Sequence, residues 1–193
     1  MFTEADLATI HQASLEILDE VGVEFPDARA RDYFVQHGFR VAGTKAFIGE
    51  DQLKSALSFA PPEFSVKARN PDNSLKVGAG HYALGPTGGA PNIMEQSGLL
   101  RPSLKEDYDR FTKLVQTSPL KMFMTNAVCF PSDLEMPTAH LDMLRMDVLN
   151  TDRVLMCPTS SPAKTSDALD MLEIVFGGRP ALEEREFFIF FYY

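Results

Sequence analysis

The second half of the chain alternates between helical and extended sequence patterns, and this alternation limits the possible folds more than any other feature. Ser103-Leu-Lys-Glu106 is a capping-box pattern that predicts a helix running to about residue 117. Residues 121–130 and 154–157 are predicted strands, 137–149 and 164–176 are predicted helices, and the apolar run at 187–193 is predicted to be the next strand. Such alternation favours parallel strands joined by crossover helices, so the predicted fold class is α/β.

Residues 1–101 show a different pattern and are predicted to form an α+β lead-in. Helices are predicted at 4–21, 27–37 and 50–59, a hairpin at 39–48, and strands at 64–69, 75–77, 92–95 and 99–101. The second helix should point Tyr33 and Phe34 inward. The first should bury an apolar stripe made of Leu7, Ile10, Ser14, Ile17, Leu18 and Val21. The predicted division is therefore 1–101, with a glycine-rich loop, and 102–193, with too few strands to close a barrel.

Charge and cysteine content exclude several classes of function. The 193 residues carry 18 basic and 27 acidic side chains, a net charge of −9, which argues against nucleic acid or an anionic membrane as partner. Residues 1–28 hold seven acids and no lysine or arginine. The two cysteines, Cys129 and Cys157, fit no metal-ligand spacing and are predicted to be buried in a reducing compartment. With no signal peptide or membrane span in the pattern, a cytoplasmic protein is predicted.

Loops that follow the predicted strands are the candidates for a ligand site, because active sites of α/β barrels lie at the carboxyl ends of the strands. Gly85-Pro-Thr-Gly-Gly-Ala-Pro91 could let a ligand approach the main chain closely or could be a structural turn. His140 is either a core or capping histidine or a catalytic one. No metal site and no catalytic residue is predicted. The candidate substrate-binding residues are Tyr82, Gly85, Gly88, Gly89, Asn126, Phe130 and Asp133.

Five segments in order resemble the trimethylamine methyltransferase family of corrinoid-dependent enzymes. They are Ile10-His-Gln-Ala-Ser-Leu-Glu-Ile-Leu-Asp-Glu-Val-Gly-Val23, the glycine loop at 85–91, Pro131-Ser-Asp133, His140-Leu141 with Asn150-Thr151, and Glu173-Ile-Val-Phe-Gly-Gly178. The resemblance implies a (β/α)8 TIM-type barrel, of which residues 102–193 would form the first strands and leave it incomplete. It also implies methyl transfer from trimethylamine or a quaternary amine such as glycine betaine to a separate corrinoid protein.

The resemblance further implies that the chain binds no cofactor directly, since the corrinoid (cobalamin) is carried by the partner protein. A quaternary ammonium is usually held by aromatic ring faces. With no tryptophan in the sequence, Tyr82 and Phe130 are the candidates for such contacts. Family members are longer, so the match covers their N-terminal part only. The alternative is therefore a non-catalytic truncated remnant or interaction module, and the apolar run at 187–193 predicts self-association.

Overall fold

The computed structural model describes residues 2–86, 88–125, 128–157 and 160–184, together with the backbone of 188–190. Its helices and strands are mixed along the chain, as expected for the α/β class. The chain divides into two compact units, Met1–Pro61 and Pro62–Tyr193. The predicted change of character at residue 101 lies inside the second unit, and a domain boundary there stays a prediction. Asn126 is outside the described residues.

The N-terminal unit packs three helices around a small antiparallel sheet. Helix α1 (Glu4–Glu16) continues as a π-helix (Ile17–Val21) and is followed by β1 (Val23–Glu24), α2 (Ala28–Gln36), β2 (Arg40–Ala42), β3 (Lys45–Phe47) and α3 (Glu50–Ser58). The sheet order is β1-β3-β2. Local chemistry explains the helix starts: Thr3 and Asp6 form a reciprocal capping box, and the Asp27 carboxylate accepts from the first amides of α2.

The prediction that the apolar stripe of α1 faces inward is wrong, because most side chains of the stripe are exposed. Leu7, Ile10, Ile17 and Val21 are each about half exposed or more, whereas the buried side chain of this helix is Leu15. Three strands of two or three residues are too small to cover a helix and π-helix of eighteen residues. Amphipathic spacing therefore identifies an apolar face in α1 without showing that this unit covers it.

The second helix also departs from the prediction at one of its two aromatic residues. Phe34 packs between Phe25 and Phe39, with ring centroids 4.6 and 5.2 Å away. Tyr33 is 60% exposed and lies over His37 at 4.0 Å, so it does not point inward. Phe34 thus faces the sheet, whereas Tyr33 faces solvent.

The C-terminal unit begins with two antiparallel hairpins and continues with alternating helices and extended segments. The hairpin strands are β4 (Glu63–Val66) with β5 (Leu75–Gly78), and β6 (Asn92–Met94) with β7 (Leu100–Pro102). The following elements are α4 (Lys105–Thr117), α5 (Ala139–Asn150), β8 (Leu155–Cys157), α6 (Pro162–Phe176), α7 (Arg179–Glu183) and β9 (Phe188–Phe190). Helix α7 was not predicted from the sequence.

Four extended segments, which we call the parallel array, lie side by side in the order 82–84, 122–124, β8 and β9. Leu84 bridges Met122 in parallel, Met124 bridges Leu155 in parallel, and β9 pairs with β8 in parallel register. These pairings confirm that the α/β part uses parallel strands with crossover helices. The prediction of a continuous strand at 121–130 is wrong. The described residues of this segment pair only at isolated bridges and change partner along it. Closure into a (β/α)8 barrel stays a prediction.

The main hydrophobic core of this unit lies between the parallel array and its helices. Met124, Leu155 and Cys157 project into it from the array and meet the buried faces of α4, α5 and α6. A second, smaller cluster contains Val154 and the first hairpin residue Leu75. None of the helices in the described part of the chain is both long and apolar enough to cross a membrane.

Candidate functional site

Two of the loops predicted to line a site lie directly side by side. The glycine loop (residues 85–91) follows the first segment of the parallel array, and residues 128–133 follow the second. Ala90 and Cys129 form a parallel bridge, and the amide of Phe130 donates to the carbonyl of Ala90 at 3.0 Å. Since both loops extend from the carboxyl ends of neighbouring segments, the structure places them where an α/β fold carries its ligand sites.

Ser103 joins the two loops, and it was missed as a site residue in the sequence. Its amide donates to the Pro91 carbonyl at 3.0 Å, and its hydroxyl, which has a single proton, lies within hydrogen-bond distance of the carbonyls of Pro91 (3.2 Å) and Phe130. Its own carbonyl accepts from the amide and hydroxyl of Ser132. Ser103 is completely buried, so these bonds form away from water. No local pattern signals this role, because every partner lies 12 or more residues away.

The predicted capping box at Ser103 is wrong by one residue. Leu104 is the N-cap of α4, and its amide donates to the Asp107 carboxylate at 2.9 Å. Asp133 completes this helix start, because its Oδ1 accepts from the amide of Lys105 at 2.8 Å. The predicted substrate residue Asp133 therefore has a structural bond that ties the 128–133 loop to α4.

The glycines of the loop lie against aromatic rings. A Cβ built on Gly85 would stand 2.6 Å from Cζ of Phe123, so this position accepts no side chain without displacing the ring. Gly89 has φ +82°, a left-handed conformation that favours glycine, and a Cβ built there would lie 3.7 Å from the Phe130 ring. Gly88 is exposed. With Phe130 itself 50% exposed, the loops present bare backbone beside an accessible aromatic ring.

Among the candidate substrate-binding residues, Tyr82 lies apart from the glycines and Phe130. It is 79% exposed and precedes the Leu84–Met122 bridge, whereas Phe130 follows the Ala90–Cys129 bridge. The two rings thus lie toward opposite ends of the paired segments. A joint contact of Tyr82 and Phe130 with one substrate molecule stays a prediction, as do the roles of the other candidate residues.

An ion cluster supports the site from the β6–β7 hairpin. The guanidinium of Arg101 contacts both carboxylate oxygens of Asp107, at 2.6 and 2.9 Å, and Glu95 at 2.9 Å. Hydrogen bonds from Arg101 lower the pKa of Asp107, and the two carboxylates raise the pKa of Arg101. Arg101 and Asp107 are therefore charged over the physiological range, and the cluster fixes the hairpin to the start of α4.

Below the site the core contains an acid without a counter-charge. Asp147 on α5 is 1% exposed, its Oδ2 accepts from the Tyr108 hydroxyl at 3.0 Å, and its Oδ1 has no hydrogen-bond partner among the residues that the structure describes. Burial raises the pKa of Asp147 well above its ordinary value, which favours the neutral carboxyl. Burial likewise raises the pKa of Cys157 to about 12. A thiol in that state is a poor nucleophile, which agrees with the predicted packing role of Cys157.

His140 and one cleft of this unit are formed by residues outside the two loops. His140 is buried in α5, with Nε2 3.1 Å from Asp167, as predicted for a core histidine. A cleft of about 390 Å³ lies beside the segments that lead into the array, lined by Arg69, Gln116 and Asp152 among others. Although burial opposes the change, hydrogen bonds from Gln116, Asn73 and Asn70 lower the pKa of Asp152. Because this cleft is on the amino side of β8, we assign it to structural packing.

No metal centre is evident in the part of the chain that the structure describes. Within those residues, no group of three or more histidine, cysteine or acidic side chains lies close enough together to hold a metal ion. The chemistry available at the two loops is therefore that of backbone groups, an aromatic face and the charged hairpin.

Comparison with known proteins identifies one family. The chain matches the family model described as Trimethylamine methyltransferase (MTTB) over residues 1–190. It is 30% identical over 185 residues to a glycine betaine methyltransferase of Desulfitobacterium hafniense (strain Y51), covering 96% of this chain and 39% of that protein.

Two further relatives come from Eubacterium limosum. An L-carnitine:corrinoid methyltransferase is 29% identical over 162 residues, which cover 83% of this chain and 32% of the relative. A proline betaine:corrinoid methyltransferase is 33% identical over 132 residues, which cover 67% of this chain and 27% of that relative. The chain thus spans less than two fifths of the length of these curated relatives.

Proposed function

Because this chain belongs to the trimethylamine methyltransferase family, we propose that it serves in the transfer of a methyl group from a small quaternary amine to a corrinoid protein. Glycine betaine, carnitine and proline betaine, which appear in the names of three relatives, share a quaternary ammonium and a carboxylate. The proposed substrate class for this chain is therefore a quaternary ammonium carboxylate, and trimethylamine is the tertiary alternative.

The observation that supports this proposal is the pairing of the glycine loop with the 128–133 loop beside the Phe130 ring. An aromatic face attracts a quaternary ammonium through cation–π interaction, which contributes up to about 2 kcal/mol when water is excluded. Bare glycine backbone allows the ligand to approach the main chain closely. We assign Phe130 to the ammonium group and the amides of Gly88 and Gly89 to the carboxylate, with Ser103 as the residue that positions both loops.

The corrinoid is proposed to be carried by a partner protein. Two relatives are named as corrinoid methyltransferases, and in the C-terminal unit His140 is bonded to Asp167 and His81 lies beside Glu63. When bound, the corrinoid supplies the cobalt that accepts the methyl group. The part assigned to this chain is to hold the amine, orient its methyl group and exclude water around it.

A second candidate is an interaction module of the family without catalytic activity. Two observations favour it: Phe130 is half exposed, so the site does not by itself exclude water, and α1 leaves Leu7, Ile10 and Ile17 exposed on one face. An exposed apolar stripe of this kind is typical of protein contact surfaces. The two candidates differ in whether the 193-residue chain turns over substrate.

The test is methyl transfer to reduced cob(I)alamin, followed by its absorbance. The chain is incubated with glycine betaine, L-carnitine, proline betaine or trimethylamine, with the Desulfitobacterium hafniense relative as the active reference. Turnover by the chain would exclude the non-catalytic candidate. Activity of the reference alone, with no binding of any of the four amines to the chain by calorimetry, would refute the proposed function.

Variants separate the proposed contact from a general loss of structure. Phe130→Leu should raise KM or Kd by about 10-fold or more, because the cation–π contact is lost. Phe130→Tyr should retain binding. Phe59→Leu is the matched control, since this ring is 85% exposed at the end of α3. Equal effects of Phe130→Leu and Phe59→Leu would contradict the assignment of Phe130.

A further inference from the structure

The loop that carries Phe130 runs along the start of α4 and contacts it at three successive points. The Phe130 carbonyl lies within hydrogen-bond distance of the Ser103 hydroxyl, and the amide and hydroxyl of Ser132 donate to the Ser103 carbonyl at 2.8 and 3.0 Å. The third point is Asp133, whose Oδ1 accepts from the Lys105 amide at 2.8 Å. The residues that follow the Phe130 ring are therefore fastened one after another to the start of the helix.

Asp133 makes the one charged contact of these three. The first amides of an α-helix have no carbonyl partner within the helix and carry partial positive charge. Lys105 is the first residue of α4, which is 13 residues long, so its amide is one of these groups. A carboxylate that accepts from such an amide forms a charge-assisted hydrogen bond, which is stronger than a bond between neutral groups. Asp133 thus supplies an acceptor that the helix itself lacks.

The side chain of Lys105 is engaged in a different contact. Its Nζ donates to Oδ1 of Asp142 at 2.9 Å, and Asp142 lies in the first turn of α5. The main chain of Lys105 therefore holds the Phe130 loop, while its side chain holds α5. One residue joins the loop and the starts of both helices, and it is the Lys105 amide that fixes the carboxylate of Asp133.

We propose that Asp133 is a positioning residue of the candidate site: through the Lys105 amide it holds the loop and the Phe130 ring in place, and it is not the counter-charge of the ligand's ammonium group. This role replaces the direct substrate contact predicted from the sequence for Asp133. It rests on the proposed function for the ligand that Phe130 binds, whereas the placement of the loop is independent of any ligand.

The chemistry of the proposed ligands favours this role over that of a counter-charge. A quaternary ammonium has no N–H group, so it cannot donate a hydrogen bond to a carboxylate, and Asp133 is exposed, where attraction between charges is weak. Each of the proposed ligands also contains a carboxylate, which a fixed acid would repel. The bond to the Lys105 amide, in contrast, is directional and requires the carboxylate where the structure has it.

Amide hydrogen exchange followed by NMR tests the placement of the loop without any ligand. In Asp133→Ala the acceptor is lost, so the amides of Lys105 and Phe130 should exchange about 10-fold faster or more. Asparagine retains an oxygen that can accept from the Lys105 amide, so Asp133→Asn should keep both rates within about 3-fold of those of the native chain. Unchanged exchange at Phe130 in Asp133→Ala, or equal acceleration in the two variants, would overturn the proposal.

Glu106→Ala is the matched control for the loss of a negative charge at the same helix start. Glu106 is in the first turn of α4, and its carboxylate pairs with Arg110 on the exposed side of the helix. Exchange at the Phe130 amide should be unchanged in this variant. If Glu106→Ala accelerated it as much as Asp133→Ala, the effect would arise from the charge of the helix start and not from the Asp133 bond, and the proposal would fail.

Calorimetry with two ligands tests whether Asp133 acts as a counter-charge. The ligands are glycine betaine and tert-butylacetate, in which a carbon atom replaces the nitrogen and the head group is neutral. Asp133→Asn should leave the ratio of the two affinities within about 3-fold of the native value, and Asp133→Ala should weaken glycine betaine binding about 10-fold or more. A ratio that falls about 10-fold in Asp133→Asn would identify a counter-charge and refute the positioning role.

The two experiments separate this inference from the proposed function. Failure of glycine betaine to bind the native chain would count against the proposed function. The exchange rates of Phe130 and Lys105 would still decide whether Asp133 holds the loop, because they are measured without ligand.

Discussion

Replacing Asp147 by asparagine should remove a pH dependence from the stability of the C-terminal unit. The carboxyl is 1% exposed and is bonded through one oxygen to the Tyr108 hydroxyl, and within the described part of the chain its other oxygen has no hydrogen-bond partner. Burial raises its pKa in the folded state well above the ordinary value of 3.8. The unfolded chain, in contrast, ionises this group near its ordinary pKa.

The sign of the effect follows from proton binding. Between the unfolded and folded pKa values the folded state binds one proton more than the unfolded state, so raising the pH favours unfolding. The stability due to neutral Asp147 is fully present below pH 3.8 and falls by about 1.4 kcal/mol per pH unit above it, until the folded pKa is reached. An asparagine side chain cannot ionise, so Asp147→Asn should remove this slope and be increasingly stabilising, relative to the native chain, as pH rises.

Urea unfolding at a series of pH values from about 5 to about 7 measures this slope. Circular dichroism is the suitable signal, because the chain contains no tryptophan. Asp109→Asn is the matched control on α4: hydrogen bonds from Lys113 and Asn150 lower the pKa of Asp109, so its contribution changes only at lower pH. Parallel stability curves for the native chain and Asp147→Asn over this interval would refute the reasoning.

Three further predictions concern the site and its support. Gly85→Ala would place a methyl group 2.6 Å from the Phe123 ring and should lower the free energy of unfolding by about 1–3 kcal/mol; an unchanged urea midpoint would contradict this. Asp107→Asn should cost about 2 kcal/mol at neutral pH by breaking the pair with Arg101, and because that pair lowers the pKa of Asp107, the difference from the native chain should shrink below pH 3.8. The glycine loop should bind no nucleotide in calorimetry, since no lysine or helix start follows it; ATP binding that is lost in Gly88→Val would show the opposite.

Local chemistry made several parts of the structure predictable from the sequence. The hairpins and most helices depend on residues within a few positions of one another, and they were placed correctly. The parallel pairing of β9 with β8 was also expected, because a continuous apolar run after a helix is typical of a buried parallel strand. Of the two loops of the candidate site, residues 128–133 could be chosen because they end a predicted strand, and the glycine loop because of its glycines and prolines.

Other features depend on which segments meet in space, and only the tertiary structure decided them. The Ser103-Leu-Lys-Glu106 pattern predicts Ser103 as the N-cap of α4, but Ser103 is bonded to Pro91 and Phe130 and the N-cap is Leu104, whose amide donates to Asp107. Residues 121–130 look like one strand but change partner along their length.

The same distinction explains the apolar face of α1 and the acid in the core. The spacing of Leu7 and Ile10 identifies an apolar side of the helix, but whether that side is covered depends on the size of the sheet beneath it. Asp147 has the sequence environment of an exposed helical acid, and it is buried because α5 turns it toward Tyr108 and β8. Periodicity, caps and turn residues are properties of neighbours in the chain, so the sequence alone determined the elements and their order. Burial, pKa values and the contacts that build the site arise from residues tens of positions apart, which only the folded arrangement brings together.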